Sequence, residues 1–292
     1  MRFNDLLRMA DHDPKDVAIM LHNPARPEQR RMLMALVDDA PDLFEAYQDN
    51  HPRNPEATLK KRKVAASFVV GEGAESRFVG LYAVKGWTFR TASEMDADPI
   101  RQDLMTRFRD SPYSALAAQS GTTGREVFDL QPLPALADLR GRLIVPRPAG
   151  RAYMRLAENC DLPILAVERL ARFSPPLPHW RELVLTKPEI VNLPPDWHLG
   201  MAQWRGVYLI TDMVDGARYV GSAYGAENII GRWRNHVAGD YGVTKELRSR
   251  LTAGFQFSIL ELLLHDQTAD DVIRREHSWM DRLHTRTFGL NQ

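Results

Sequence analysis

Two short strand-like segments separated by a turn constrain the fold of this chain more than any other part of its sequence. Val207–Thr211 and Arg218–Ser222 are rich in β-branched and aromatic residues, and Asp215-Gly216 between them is a strong β-hairpin pattern. Each strand carries a tyrosine, Tyr208 on the first and Tyr219 on the second. The sequence therefore predicts an antiparallel hairpin at the start of its last region.

The residues after the hairpin complete an α+β unit over 204–292. Apolar spacing predicts a helix at 226–238, a third strand at 255–260 and a final helix at 268–284. We therefore expect a small antiparallel three-stranded sheet with helices packed against it.

The upstream residues fall into three segments of different composition. Residues 1–55 have apolar residues at helical spacing and predict a helical segment. Residues 56–171 contain several strand-like runs with Gly and Pro turns, and predict a mostly β domain. Residues 172–203 carry six prolines and predict a semi-rigid connector on the surface. The expected fold class is α+β throughout.

Composition excludes several classes of protein. The 292 residues contain 38 Lys and Arg against 38 Asp and Glu, so any nucleic-acid surface must be local. The single cysteine, Cys160, rules out a disulfide framework within the chain, and we interpret it as a structural thiol. We expect no signal peptide and no membrane span, and the expected location is cytoplasmic.

The helix at 226–238 brings two polar side chains to one face. Arg232 and His236 are four residues apart, so they are neighbours on the helix surface. An apolar stripe that includes Trp233 lies beside them. Two interpretations are open from these residues alone: both side chains are solvated, or both face a functional site.

The last predicted helix has a carboxylate on its inward face. Glu276 is in helical register with Ile273, Met280 and Leu283. A buried carboxylate is costly unless it is paired or binds a metal ion. The sequence leaves both interpretations open: Glu276 pairs with a core arginine, or it binds a divalent cation.

Together these side chains supply what phosphodiester hydrolysis needs. A water must be activated, and the charge that develops on the phosphoryl oxygens must be neutralised. A carboxylate that holds Mg²⁺ and a fixed arginine are the usual means, and a phenol or imidazole orients or deprotonates the water. The five residues that offer this set are Tyr208, Tyr219, Arg232, His236 and Glu276. Each tyrosine taken alone would be interpreted as a packing residue.

Residues 206–291 resemble the GIY-YIG nuclease family. The two tripeptides that give the family its name match Gly206-Val207-Tyr208 and Tyr219-Val220-Gly221, with valine in place of isoleucine in both. Four further positions match in the family's order: Arg232, His236, Glu276 and Asn291.

The resemblance implies a DNA endonuclease that requires Mg²⁺ or Mn²⁺ bound by Glu276. Tyr208 would orient the attacking water or accept its proton. Arg232 would neutralise phosphoryl charge with help from Tyr219 and His236. Asn291 would support the site through hydrogen bonds.

Part of the affinity for DNA is expected to come from upstream residues. The segment 204–292 holds 11 Lys and Arg and 11 Asp and Glu, whereas phosphate contacts supply most non-specific affinity. Two basic clusters are therefore candidates for DNA contact: Lys60, Lys61, Arg62 and Lys63 in one, and Arg140, Arg142, Arg147 and Arg151 in the other. The alternative is that both clusters are solvated surface.

Three functional hypotheses remain at this point. The first is a DNA endonuclease targeted by its N-terminal region, for restriction and defence, homing or repair. The second is a non-cleaving nucleic-acid-binding protein built on a nuclease-like domain. The third is a ligand-sensing regulator whose output is cleavage. Cutting both strands with one site per chain would favour a homodimer or two sequential nicks.

Overall fold

Strand β2 (Val64–Val70) lies inside the N-terminal sheet, and all of its residues are buried. It pairs in parallel with β1 (Val17–His22) and antiparallel with β3 (Glu75–Thr91). A strand with neighbours on both sides and both faces covered is expected to be a near-continuous apolar run, as β2 is apart from Ser67, whose hydroxyl donates to the Gln48 side chain. One of the strand-like runs expected within residues 56–171 is therefore confirmed as a strand.

The fold is seen in a computed structural model. It describes residues 1–71, 75–108, 111–150, 152–226, 228–239, 247, 250, 254–264 and 266–291. The chain divides into two units, Met1–Ser174 and Pro175–Gln292.

The N-terminal unit is built on one mixed sheet. Its remaining strands are β4 (Gly124–Leu133), β5 (Leu143–Pro146), β6 (Met154–Leu156) and β7 (Ala166–Val167). The strand order is β6-β1-β2-β3-β5-β7, with β4 paired to β3. Its helices are α1 (Phe3–Met9), α2 (Pro27–Asp39), α3 (Pro41–Gln48), α4 (Arg53–Leu59), α5 (Ala92–Asp96), α6 (Pro99–Phe108) and α7 (Tyr113–Ser120).

The predicted helical segment 1–55 is wrong in two places. Val17–His22 is the buried strand β1, because a short unbroken apolar run cannot be told from a buried helix by its periodicity. The boundary expected at residue 55 falls within α4, where Pro55 is tolerated because it lies in the first helical turn. Residues 1–55 thus belong to the same unit as the sheet.

The expected surface connector at 172–203 is also wrong. Most of it belongs to the C-terminal unit, where it forms β8 (Val184–Thr186), α8 (Lys187–Val191) and α9 (Pro195–Met201). Prolines lie at the first positions of both helices, where no intrahelical N–H bond is lost. Trp197 and Met201 are buried in the core of this unit. Two of the six prolines in this segment, Pro188 and Pro195, thus lie in the first turn of a helix.

The C-terminal unit has a four-stranded antiparallel sheet among its described residues. The predicted three strands are present, and β8 adds a fourth. The elements that follow β8 and its two helices are β9 (Arg205–Asp212), β10 (Arg218–Ala223), α10 (Asn228–Ala238), β11 (Phe255–Leu263), α11 (Ala269–Leu283) and α12 (Thr285–Phe288). The strand order is β10-β9-β11-β8, so β10 lies at an edge.

Both units are mixtures of helices and strands, as the expected α+β class requires. Within the described ranges, none of the helices has the length and apolar character needed to cross a bilayer.

Candidate active site

Gly221 on β10 creates the space that the Tyr208 side chain occupies. The two residues are opposite each other in the β9–β10 register. A Cβ atom at position 221 would overlap the hydroxyl end of the Tyr208 ring. The glycine of the second tripeptide therefore determines where the tyrosine of the first one lies.

Gly206 has a different role at the start of β9. A Cβ atom there would overlap the backbone carbonyl oxygen of Glu261. This approach occurs where the β9–β11 register shifts between Ile259 and Glu261, as at a β-bulge. Gly206 thus allows the backbone of β11 to approach β9 closely beside Tyr208.

Tyr208 and His236 form a buried pair on the side of the sheet covered by α10. The Tyr208 hydroxyl oxygen lies 2.8 Å from Nε2 of His236. The two side chains are 0% and 1% exposed. Burial raises the pKa of Tyr208 far above its usual range, so the phenol is protonated at neutral pH. It donates its proton to His236 whenever Nε2 carries none.

The Tyr219 ring lies against this pair. Its centroid is 6.5 Å from that of Tyr208 and 5.7 Å from that of His236. Trp233 also packs against Tyr208, edge to face, with ring centroids 6.4 Å apart. Packing against these rings holds the phenol and the imidazole in fixed relative positions.

Arg232 lies one helical turn before His236 and is half-buried. Its pKa is raised, chiefly by neighbouring Tyr208, with further contributions from Tyr219 and Glu276. The guanidinium is therefore charged at any physiological pH. It is a fixed cation beside the buried pair.

Glu276 is held by a serine of the edge strand. The Ser222 hydroxyl donates to Oε2 of Glu276 at 2.5 Å. Burial raises the pKa of Glu276, and the Ser222 hydrogen bond and the charges of His277 and Arg232 oppose this rise. The carboxylate is half-buried in the middle of α11, as its spacing predicted.

The edge position of β10 explains how these groups meet. Alternate residues of a strand point to opposite faces, so Tyr219 lies on the α10 side and Ser222 on the α11 side. The carboxylate of Glu276 nevertheless raises the pKa of both Tyr208 and Arg232. Groups from both faces of the sheet are thus close enough to interact electrostatically at the β10 edge.

Asn291 completes the edge strand. Its Oδ1 accepts from the backbone N–H of Val220 at 2.8 Å, and its Nδ2 donates to the Val220 carbonyl at 2.7 Å. The side chain is 5% exposed. Asn291 therefore satisfies two backbone groups of β10 midway between Tyr219 and Gly221.

The donor set fits a cation that takes most of its ligands from water and substrate. The described residues contain no group of three or more His, Cys, Asp or Glu side chains that could hold a metal ion. Mg²⁺ is bound by one or two carboxylates, keeps several waters and uses substrate phosphates as further ligands. A single half-buried carboxylate, Glu276, is compatible with such an ion.

The basic run at residues 60–63 is largely neutralised. Its ion pairs in the structure join Lys60 to Glu56 and Glu126, Arg62 to Glu158, and Lys63 to Asp16. Lys61 is exposed. Cations that already have carboxylate partners neutralise phosphates less effectively, so this run is a weaker candidate for DNA contact than the sequence predicted.

The second basic cluster is divided by the fold. Arg140 donates to the carbonyl oxygens of Val37 and Val79, and Arg142 donates to those of Asp138 and Glu168. These two arginines therefore tie the segment that carries them to neighbouring parts of the N-terminal unit. Arg147 is exposed at the mouth of a cavity. Arg151 lies outside the described residues.

The comparison with protein families identifies the C-terminal region. Residues 205–291 match the model of the GIY-YIG catalytic domain. These residues form a GIY-YIG domain. The match confirms the resemblance seen in the two tripeptides, and it stops short of the upstream unit.

Two solved structures are similar to the GIY-YIG domain. One is a mutant of the catalytic domain of intron endonuclease I-TevI, with 26% identity over 30% of this chain and 93% of that chain, and a TM-score of 0.26. The other is the catalytic domain of homing endonuclease I-TevI, with 27% identity over 30% of this chain and 96% of that chain, and a TM-score of 0.25. A comparison with curated proteins gave no significant match.

Ser222 is the residue of the GIY-YIG domain that sequence reasoning missed. It follows Gly221 directly, and a serine on a strand does not by itself indicate a functional role. The pattern that points to it is alternation along β10, which turns Ser222 toward the helix that carries Glu276.

Proposed function

We propose that this protein is a divalent-metal-dependent DNA endonuclease whose catalytic part is the GIY-YIG domain. The observation that carries the proposal is the convergence of Arg232, Glu276 and the Tyr208–His236 pair at the β10 edge. A nuclease-like domain that had lost its activity would not be expected to retain a fixed cation, a half-buried carboxylate and a hydrogen-bonded phenol. The N-terminal unit is proposed to target this domain to DNA.

Glu276 is the proposed ligand of Mg²⁺ or Mn²⁺. The chemistry supplied with the ion is neutralisation of the charge on the phosphoryl oxygens. The Ser222 hydrogen bond holds one oxygen of the carboxylate, which fixes its orientation. It also opposes protonation of Glu276, so the carboxylate stays available as a ligand.

Arg232 is proposed to bind the scissile phosphate directly. A guanidinium offers several N–H donors in a planar arrangement that suits phosphate oxygens. Because Arg232 is held on α10 beside packed rings, little reorganisation is needed when charge develops on the phosphate.

Tyr208 is proposed to pass a proton from the attacking water to His236. Its raised pKa makes a resident phenolate at neutral pH unfavourable, so simple deprotonation by a charged tyrosine is not supported. A concerted transfer avoids that ion: once DNA binding admits the attacking water to the buried pair, the phenol oxygen accepts the proton of the water while its own proton moves to Nε2 of His236. The distance of 2.8 Å between the two atoms suits this step.

Asn291 and Tyr219 are proposed to position the others. Asn291 holds the backbone of β10 at Val220. Tyr219 packs against the imidazole and the phenol. Neither role requires contact with DNA.

A nicking assay on supercoiled plasmid tests the proposal. The parent protein is expected to give open-circular and linear DNA with Mg²⁺ or Mn²⁺, and no products with a chelator. The Glu276→Ala protein is expected to bind plasmid without cutting it. Binding by the parent protein without any metal-dependent product would support a non-cleaving nucleic-acid-binding protein instead.

The plasmid products also indicate whether the chain acts as a monomer or a homodimer. One site per chain cuts one strand at a time, so a direct change from supercoiled to linear DNA would require two copies acting together. Accumulation of open circles before linear DNA is the result expected of a monomer. A homodimer thus remains a prediction that the time course decides.

A further inference from the structure

A cavity of about 610 Å³ lies within the N-terminal unit, outside the GIY-YIG domain. This volume is within the range of roughly 300–1,000 Å³ that is typical of pockets for small organic ligands. Aromatic side chains line it at several points, among them Tyr47, Tyr113 and Tyr153. Flat rings of this kind suit a planar ligand, which stacks on them.

Two buried histidines line this cavity, and each has a nitrogen atom without a protein partner among the described residues. His22 and His51 are 4% and 3% exposed, and both line the cavity. The Nε2 atoms of both have no hydrogen-bond partner among the described residues. On its other side, Nδ1 of His51 lies 3.0 Å from the Tyr153 hydroxyl. Leaving a buried polar group without a partner costs about 1–3 kcal/mol, so a polar ligand group that reaches these atoms when the cavity wall adjusts would remove that cost.

The two imidazoles are neutral at physiological pH. Burial lowers the pKa of His22 to about 3, assisted by neighbouring His51, and lowers that of His51 to about 4. A neutral imidazole has one N–H donor and one acceptor nitrogen. Asn23 adds a side-chain oxygen that is also buried without a partner among the described residues. The residues that line the cavity therefore hold both donors and acceptors just beneath its wall, without a buried charge.

Two arginines supply positive charge at the same cavity. Arg125 is half-buried and Arg147 is exposed, and both line it. Neither forms an ion pair in the described part of the chain, unlike the neutralised basic run at residues 60–63. Arginine in such a position is suited to a phosphate group.

We propose that this cavity binds a nucleotide, with the base between its aromatic side chains and the phosphate at Arg125 and Arg147. Aromatic stacking combined with hydrogen bonds to the base edge is how proteins hold a base removed from a duplex. A lipid tail would leave the imidazoles unpaired. A sugar phosphate would leave the flat aromatic walls unused.

The nucleotide has two possible sources, a free mononucleotide or a base turned out of DNA. Only the proposal that the base comes from DNA depends on the proposed nuclease function. Binding can be measured with a metal chelator present, so DNA is not consumed. Loss of nicking activity and loss of nucleotide binding are then separate results.

Calorimetric titration of the full-length protein is the test. The probes are the four 2′-deoxynucleoside 5′-monophosphates, 2-deoxyribose 5-phosphate as a ligand without a base, and two short duplexes, one fully paired and one with a single mismatch. At least one monophosphate, or the mismatched duplex in preference to the paired one, is expected to bind. Preference for the mismatched duplex identifies DNA as the source, and binding of monophosphate alone identifies the free nucleotide.

Two variants locate the binding. Ala152→Trp fills the cavity from an exposed wall position, and Arg147→Glu reverses the charge at its mouth. Each is expected to weaken binding by about tenfold or more, as loss of a charged hydrogen bond implies. Arg53→Glu, an exposed change at the start of α4 that does not line the cavity, is the matched control and is expected to bind like the parent.

Three results would overturn the proposal. The first is the absence of binding by every monophosphate together with equal binding of the two duplexes. The second is equal binding of 2-deoxyribose 5-phosphate and the best nucleotide. The third is an unchanged affinity of the folded Arg147→Glu protein for the nucleotide. Because Arg147 is exposed, its replacement is expected to leave the fold intact.

Discussion

The hydroxyl oxygen of Tyr208 and Nε2 of His236 lie 2.8 Å apart in a part of the GIY-YIG domain from which solvent is excluded. If the two side chains act as one proton path, removal of either should interrupt the path completely. Tyr208→Phe and His236→Gln are each expected to lower the single-turnover cleavage rate by about 100-fold.

The double variant sharpens this prediction. Residues that act as a unit have non-additive effects, so Tyr208→Phe combined with His236→Gln should be no slower than the slower single variant. Independent roles would instead multiply the two losses. His236→Gln keeps a hydrogen-bond acceptor for the phenol, so a change in its urea denaturation midpoint would show that packing, rather than proton transfer, was altered.

Gly221→Ala is expected to displace Tyr208. The added methyl would overlap the hydroxyl end of the ring, and such overpacking costs about 1–3 kcal/mol of the free energy of unfolding. Cleavage should fall together with stability. Gly225→Ala is the matched control, because a Cβ atom there meets nothing within 4 Å. Equal urea denaturation midpoints for the two variants would contradict the role assigned to Gly221.

Asn291→Ala is expected to destabilise the edge strand. The change leaves the N–H and the carbonyl of Val220 without their side-chain partner, at a cost of about 1–3 kcal/mol in the free energy of unfolding. Urea denaturation measures this directly. Asn235→Ala, an exposed position on α10, should change stability by less than about 0.5 kcal/mol. An unchanged midpoint for Asn291→Ala would remove the support proposed for β10.

Ser222→Ala is expected to move the acidic limb of the pH–rate profile to higher pH. The Ser222 hydroxyl stabilises the charged form of Glu276, so its loss raises a pKa that burial has already raised. A larger fraction of Glu276 is then protonated at a given pH, and a protonated carboxyl is a poor ligand for Mg²⁺. Activity should be recovered by raising the pH or the Mg²⁺ concentration.

The control for this profile is Ser278→Ala, an exposed position on α11. Its acidic limb should coincide with that of the parent protein. A uniform loss of rate for Ser222→Ala at every pH would contradict the positioning role, because a purely structural defect has no reason to depend on pH.

The order of motifs and the spacing along helices were enough to predict much of the GIY-YIG domain. Helical spacing placed Arg232 one turn before His236 and Glu276 on an inward face, and these placements depend only on local geometry. The Tyr208–His236 hydrogen bond, the Ser222–Glu276 hydrogen bond and the edge position of β10 depend on sheet order, which local spacing does not determine.

The upstream unit was less predictable for the same physical reason. Strand β1 and the helices of the expected connector are short, and tertiary burial decided their conformation. The cavity is harder still to predict, because His22, His51 and Arg147 are far apart in sequence and come together only in the folded unit. No short pattern marks such a site.

The role of Glu276 in metal-dependent cleavage is the central claim, and single-turnover kinetics on plasmid DNA tests it most directly. Glu276→Gln keeps the size of the side chain and an acceptor for Ser222 but removes the charge that a cation needs. Asp281→Asn on the same helix is the control, because its exposed ion pair with Arg286 contributes little.

With saturating Mg²⁺, Glu276→Gln should cleave at least about 1,000-fold more slowly than the parent, as expected when charge stabilisation at the phosphate is lost. Asp281→Asn should cleave at the parental rate. Cleavage by Glu276→Gln at a rate close to that of Asp281→Asn, with Mg²⁺ still required, would contradict the account.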